Sequence, residues 1–226
     1  MSPPISGVFL SFTIRLAQSG VSLTNGRPTS YTRNAFHMTT SCIGLWVVTQ
    51  MDERGAFEVA AALLVLFWAI EAFRFLYAPF NRLLLHVTHW MARPHEASHI
   101  TSATWYMCAA FLLACLWNLP VATLAIVICG LGDPAAAMIG RRFGRRKIFY
   151  GRTVAGCLGF LMVSIVAGSA WLSVVYDFDV SRALWWSLGG GVFGMLAELF
   201  SRKIDDNFSI PLAAAAGTLL IATWVG

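Results

Sequence analysis

Long apolar stretches, cut by short polar connections, run the length of this chain. A helix that crosses a bilayer needs about 20 mostly apolar residues. Seven stretches meet or approach that length, at roughly 34–51, 56–77, 101–118, 120–139, 153–176, 182–201 and 208–225. The pattern predicts an all-α, polytopic integral membrane bundle of about seven transmembrane helices. Residues 1–30 precede it as an N-terminal segment, with an interfacial helix expected near 5–17, and residues 31–226 form one transmembrane domain. No leading basic region or small-residue cleavage site marks a signal peptide. Gly190 and Gly194, and Ala213 and Gly217, repeat at the four-residue spacing that lets membrane helices touch.

Composition agrees. Hydrophobic residues make up 58% of the 226 and charged residues 12%, against roughly 25% charged in soluble domains. The net charge of +5 therefore reads as membrane topology rather than nucleic-acid binding. With the N-terminus placed in the cytoplasm, all 16 lysines and arginines except Arg54 and Arg182 fall on the inner side, as the positive-inside rule asks. Glu71, Glu96, Asp133, Glu198, Asp205 and Asp206 fall on that side too. Orientation alone needs the cations but not these carboxylates. The five cysteines lie in apolar segments without C-x-x-C spacing, which suggests neither a disulfide framework nor a thiolate metal site.

Two polar clusters carry the candidate chemistry. The first is Gly132-Asp133-Pro134-Ala-Ala, followed by Gly140-Arg141-Arg142-Phe143-Gly144, Arg145, Arg146, Lys147 and Gly151-Arg152-Thr153. An acid at membrane depth is expensive and usually functional. A carboxylate can hold Mg2+ while a triphosphate supplies further oxygens, and the cations suit phosphates. The bland alternative is a capping aspartate before a positive-inside loop. The second cluster is Glu198, Arg202, Lys203, Asp205-Asp206-Asn207 and Pro211. Adjacent carboxylates repel unless a cation lies between them. Arg33 and His37, and Glu71 with Arg74 followed by Asn81-Arg82, could each be snorkelling or salt-bridging groups. His95-Glu96-Ala-Ser-His99 literally fits H-E-x-x-H, which on an α-helix could bind zinc with the glutamate as base. An interfacial Arg93/Glu96 pair is the bland alternative.

Taken in order, these blocks resemble the CTP-dependent lipid-alcohol kinases: dolichol kinase, phytol kinase and CTP-dependent diacylglycerol kinase. Gly132-Asp133-Pro134-Ala-Ala, Gly140-Arg141-Arg142-Phe143-Gly144 and Gly151-Arg152-Thr153 resemble the family's nucleotide-handling segment. Glu198, Asp205-Asp206-Asn207 and Ile210-Pro211-Leu212 are similar to its closing motif, and Arg33-x-x-x-His37 to its opening one. Glu71-x-x-Arg74 and Arg93-x-x-Glu96 are weaker matches. The resemblance implies a membrane kinase that moves the terminal phosphoryl group of CTP to a lipid alcohol, of polyprenol or phytol type or a diacylglycerol. It implies Mg2+ on Asp133, Asp205 and Asp206, with Asn207 and Glu198 ordering the metal's surroundings. Phosphates would meet Gly132, Gly140, Gly144, Arg141, Arg142, Lys147, Arg152 and Thr153. His37 or a carboxylate would take the hydroxyl proton. The expected setting is a prokaryotic inner membrane with the site on its cytoplasmic face. An intramembrane zinc protease built on His95, Glu96 and His99, and a non-catalytic transporter or lipid-binding bundle, are the readings from other classes.

Overall fold

A computed structural model describes residues 30–89, 91–92, 94–201 and 204–225. The expected interfacial helix at 5–17 and the calls on Arg93, Arg202 and Lys203 lie outside the described residues, as does the side chain of His95. The helices are α1 (Ser30–Val48), α2 (Glu53–Leu76), α3 (Ala78–Val87), α4 (Ser102–Ala114), α5 (Leu119–Phe143), α6 (Val154–Tyr176), α7 (Val180–Phe200) and α8 (Asp206–Val225). Pro94–Ala97 form one 3-10 turn between α3 and α4. The protein is a polytopic helical membrane protein.

Five helices, α2, α5, α6, α7 and α8, are long and apolar enough to cross a membrane. They coincide with five of the seven expected stretches. The stretch expected at 101–118 yields a helix of 13 residues, about 20 Å long, short of a hydrocarbon core about 30 Å thick. Its beginning is given to polar contacts instead, because Thr101, Ser102 and Thr104 turn toward buried carboxylates. α3 was not expected. It follows Tyr77 with Pro79 in its first turn, where a missing N–H costs nothing. Asn81 and Leu85 face inward, while Leu83 and Val87 are exposed, the arrangement of an amphipathic surface helix.

Capping explains several boundaries. The side chains of Asp52, Asn118, Thr153 and Asp179 accept backbone N–H bonds at the starts of α2, α5, α6 and α7, satisfying donors that a helix start leaves orphaned. The core forms where α5, α6, α7 and α8 meet, with Leu124, Ile128, Cys129, Phe160, Leu172 and Ile210 buried. Close approach is purchased with glycine. A Cβ on Gly189 would stand 2.7 Å from the Gly217 carbonyl oxygen, and one on Gly217 2.4 Å from that of Gly189, so α7 and α8 touch backbone to backbone. All five cysteines are free thiols.

α5 is one continuous helix with a π-helical turn at Ile128–Gly132. Pro134 has no N–H to give the preceding turn, and the wider turn absorbs the interruption. Such π turns recur at functional sites. Here it places Asp133 inside the helix, with its N–H bonded to the Cys129 carbonyl.

Candidate active site

Asp133 is not a helix cap and does not open a loop. It lies in mid-helix, partly buried, ten residues before the end of α5. Arg141 and Arg142 belong to the last turn of the same helix, about 12–14 Å further along its axis. That position suits them, since the helix C-terminus carries partial negative charge. Arg141 lies over the Tyr31 ring, 5.0 Å from its centre. The basic loop expected from sequence therefore begins only at Gly144.

The connection from α5 to α6 is a short hairpin. Ile148 N–H bonds the Arg152 carbonyl, Val154 N–H bonds that of Arg146, and Lys147 pairs with Thr153 across it. Tyr150 and Gly151 make the tip with positive φ values of 52° and 80°. Arg145, Arg146 and Lys147 are exposed along its first arm. Arg152 on the second arm turns inward, and its Nη1 lies 2.8 Å from Glu198 Oε1. The Glu198 side chain is 3% exposed, so its charge is held inside the bundle beside the Arg152 guanidinium. The Thr153 hydroxyl accepts from Gly156 N–H. It also fills the space beside Gly140 and Gly144, where an added Cβ would come within 2.9 and 2.6 Å of it. Gly132 likewise faces Ser164 and Phe160 closely. Gly140, Gly144 and Thr153 close α5 against α6 at the foot of the hairpin, and Gly132 does so deeper in the bundle.

The turn before α8 holds the second group of acids. Asn207 N–H is 3.0 Å from Asp205 Oδ1 and 3.2 Å from Asp206 Oδ1, so both carboxylates bend toward one amide. Asp205 Oδ2 lies 2.8 Å from the Ser102 hydroxyl, whose single proton it shares with Glu96. Asn207 itself is buried.

Cys129 links the two halves. Its thiol lies in the field of Asp133, Asp206 and Asp205, and Glu198 in that of Arg152 and Asp206. Asp133 of the first cluster and Asp205 and Asp206 of the second thus all act on one thiol. His37 of α1 joins them: its Nε2 is 3.9 Å from Cys129 Sγ, and its ring stands edge-on to Tyr106. Tyr106 OH in turn pairs with Ser41.

A third, largely buried network braces this site. Arg74, with no exposed surface, bonds Glu71 Oε2 (2.8 Å), Asn81 Oδ1 (2.9 Å) and the Glu96 and His99 carbonyls. Glu71 Oε1 accepts from Thr101 N–H, the Thr101 hydroxyl and the Thr104 hydroxyl. Glu96 Oε1 accepts from Ser102 N–H and its hydroxyl. Arg33 reaches in from α1 to the Met91 carbonyl and Ser102 Oγ. Glu71, Arg74, Glu96 and Arg33 are therefore parts of one scaffold rather than separate snorkelling groups.

The same network and the local backbone speak against the zinc reading. H-E-x-x-H aligns its histidines only on an α-helix, and Pro94–Ala97 is a single 3-10 turn. Glu96 is occupied by Ser102, and His99 is exposed beside the Ser98 hydroxyl. Among the described residues, no three His, Cys, Asp or Glu side chains stand close enough to hold a metal ion by themselves. Magnesium on a nucleotide asks less, one or two carboxylates with phosphate oxygens and water completing its shell. The paired Asp205 and Asp206 fit that demand.

Sequence reasoning missed Ser102, Thr101, Thr104, Cys129 and Tyr106. The hydroxyls sit at the start of an apolar helix, where their only signal is that three polar residues open a span without being needed as a cap.

No protein-family profile matches the chain, and no solved structure matches it significantly. Two curated relatives do. A chloroplastic farnesol kinase of Arabidopsis thaliana is 30% identical over 144 residues, covering 58% of this chain and 46% of the relative. A CTP-dependent diacylglycerol kinase 1 of Saccharomyces cerevisiae is 23% identical over 209 residues, covering 81% of this chain and 70% of the relative. The chain thus spans about half the length of the farnesol kinase. These relatives support the CTP-dependent lipid kinase family that the motifs resemble.

Proposed function

We propose that this protein is an integral membrane kinase that transfers the terminal phosphoryl group of CTP to the hydroxyl of a lipid alcohol. The observation that carries the reading is that Asp133, Asp205 and Asp206 all bear on Cys129, with His37 3.9 Å from the same thiol and the Arg152–Glu198 pair in the field of Asp206. A merely structural bundle has no use for so many partly buried acids beside an exposed basic hairpin. The names of both relatives agree with it.

In this reading the nucleotide lies between the hairpin and the turn before α8. Arg141, Arg142 and Lys147 attract the polyphosphate, and Arg152 neutralises it nearest the acids. Asp205 and Asp206, with Asp133 across from them, would hold Mg2+, which when bound offsets charge on the phosphate oxygens. Asn207 orients that pair through its backbone N–H. Phosphoryl transfer depends mainly on positioning and charge stabilisation. The alcohol oxygen forms a bond to the terminal phosphorus, the bond from that phosphorus to the bridging oxygen breaks, and CDP leaves. The hydroxyl proton passes to His37 or to one of the carboxylates. The lipid tail stays among the apolar helices, so only the hydroxyl needs to reach the polar end. That end faces the cytosol, where the nucleotide is found.

The substrate class preferred here is an isoprenoid alcohol of polyprenol or phytol type, which the farnesol kinase relative favours. The yeast relative supports a second substrate, diacylglycerol, for the same site. The test is transfer of label from terminally labelled CTP or ATP, by purified protein in detergent–lipid micelles, to farnesol, phytol, a longer polyprenol or diacylglycerol. Transfer from CTP to an isoprenoid alcohol, abolished by Asp133→Asn and Asp206→Asn, is the expected result. Absence of transfer to every alcohol, or transfer indifferent to both substitutions, overturns the reading.

A further inference from the structure

Ser102 lies at the junction of the buried scaffold and the acids before α8. Its side chain is almost wholly buried at the first turn of α4. Its hydroxyl oxygen is 2.7 Å from Glu96 Oε1 and 2.8 Å from Asp205 Oδ2, and it accepts from Arg33 Nη2 at 3.3 Å. A hydroxyl has one proton to give. Arg33 supplies a donor to its lone pair, which leaves that proton for the carboxylates. Glu96 Oε1 also receives Ser102 N–H at 3.2 Å. The other Asp205 oxygen, Oδ1, is held by Asn207 N–H. The Asp205 carboxylate is thus fixed at both oxygens, by α8 on one side and by α4 on the other.

We propose that Ser102 is a positioning residue for the proposed reaction, setting the orientation of the Asp205 carboxylate and coupling it to the Arg33–Glu96 scaffold. The inference rests on the kinase reading above and goes beyond it, since no sequence motif includes Ser102. A carboxylate that binds a nucleotide-borne cation needs a fixed direction, and outer partners that fix one are typically worth about 10–100-fold in metal affinity or activity. Glu96 and Arg33 act one step further out: Glu96 anchors the serine at the start of α4, and Arg33 brings α1, which carries His37, against the same hydroxyl.

The experiment compares native protein with Ser102→Ala, Ser102→Thr, Asp205→Asn and the Ser102→Ala/Asp205→Asn double variant, all in detergent–lipid micelles. Two readouts are taken. One is CTP-dependent phosphotransfer. The other is Mn2+ binding in the presence of CTP, followed by electron paramagnetic resonance. Ser102→Ala is expected to lower kcat and weaken Mn2+ binding by about 10–100-fold while leaving KM for the lipid alcohol unchanged and unfolding cooperative. Ser102→Thr, which keeps the hydroxyl, recovers most of the loss. The double variant is expected to be no worse than Asp205→Asn, because the serine acts through that carboxylate. A fully active Ser102→Ala beside an inactive Asp205→Asn overturns the positioning role alone. So does a double variant whose losses multiply, or a folded threonine variant as slow as alanine. If native protein transfers no phosphate yet binds Mn2+ in a Ser102-dependent way, the kinase reading falls and the serine's role stands. Native activity in Asp205→Asn, or native protein that neither transfers phosphate nor binds Mn2+, overturns both.

Discussion

Arg152 and Glu198 form an unequal pair: their charged atoms are 2.8 Å apart, but the Arg152 side chain is 32% exposed and that of Glu198 only 3%. One partner can reach water and the other cannot. Removing the arginine therefore strands a buried carboxylate, whereas neutralising the glutamate leaves a cation that can solvate itself.

Arg152→Ala should accordingly destabilise the protein more than Glu198→Gln. A stranded buried polar group costs about 1–3 kcal/mol, and the partial exposure of the pair keeps the effect within that range rather than at the larger values of fully buried ion pairs. Thermal unfolding in a fixed detergent checks the order. Arg152→Ala should also raise KM for CTP, since the same guanidinium is proposed to meet phosphate. A glutamine variant that proves the less stable of the two would contradict this account.

Arg74 gives a sharper case. Its guanidinium has four acceptors in different directions, Glu71 Oε2, Asn81 Oδ1 and the Glu96 and His99 carbonyls. Lysine presents a compact ammonium without that planar fork. Arg74→Lys and Arg74→Met are both expected to lose about 3–5 kcal/mol, the scale for breaking a buried pair, and to accumulate poorly in membranes. The Glu71→Gln/Arg74→Met double variant should lose less than the sum of the singles, because it leaves no lone charge. Yield of monodisperse protein and unfolding temperature are the measurements.

Much of this arrangement was legible in the chain, and the reasons are specific. α2, α5, α6, α7 and α8 were readable because hydrocarbon allows only long apolar helices. Asp133, Glu198, Asp205 and Asp206 stood out because charge is rare in such segments. The shortness of α4 and the amphipathic α3 were hidden for the opposite reason. Ser, Thr and Asn carry no charge and barely change local hydropathy, so a helix start spent on hydrogen bonds reads like any apolar span. The H-E-x-x-H spacing carries meaning only if the backbone is α-helical, and Pro94 opens a 3-10 turn instead. The glycines around Thr153 resemble phosphate-binding positions in sequence, and their close contacts with α6 are visible only in three dimensions.

The zinc reading can be set aside by experiment as well. His99 is exposed and outside the acidic cluster, so His99→Ala should retain phosphotransfer within about twofold, as expected for a surface substitution worth under about 0.5 kcal/mol. A zinc-selective chelator should leave transfer unchanged, while EDTA, which also removes magnesium, should abolish it until Mg2+ is restored. Loss of activity with the selective chelator would reopen the question.

Helix packing offers the last prediction, and it separates two glycines that look alike in sequence. Gly217 faces Gly189 across the α7–α8 contact, where a Cβ would meet a carbonyl oxygen at 2.4 Å and the Phe193 side chain at 2.7 Å. Neither a backbone carbonyl nor a β-carbon anchored to its helix can swing aside, so the helices must separate. Gly44 in α1 has nothing within 4 Å of the same position. Gly217→Ala should therefore cost about 1–3 kcal/mol, the range for overpacking, and lower activity by displacing α8, whose first turn carries Asp206 and Asn207. Gly44→Ala should be neutral or stabilising by up to about 1 kcal/mol through helix propensity alone. Parallel thermal unfolding of the two alanine variants, beside their CTP-dependent turnover, measures both arms. Equal effects at the two sites would mean that α7 and α8 do not approach as closely as their backbones indicate.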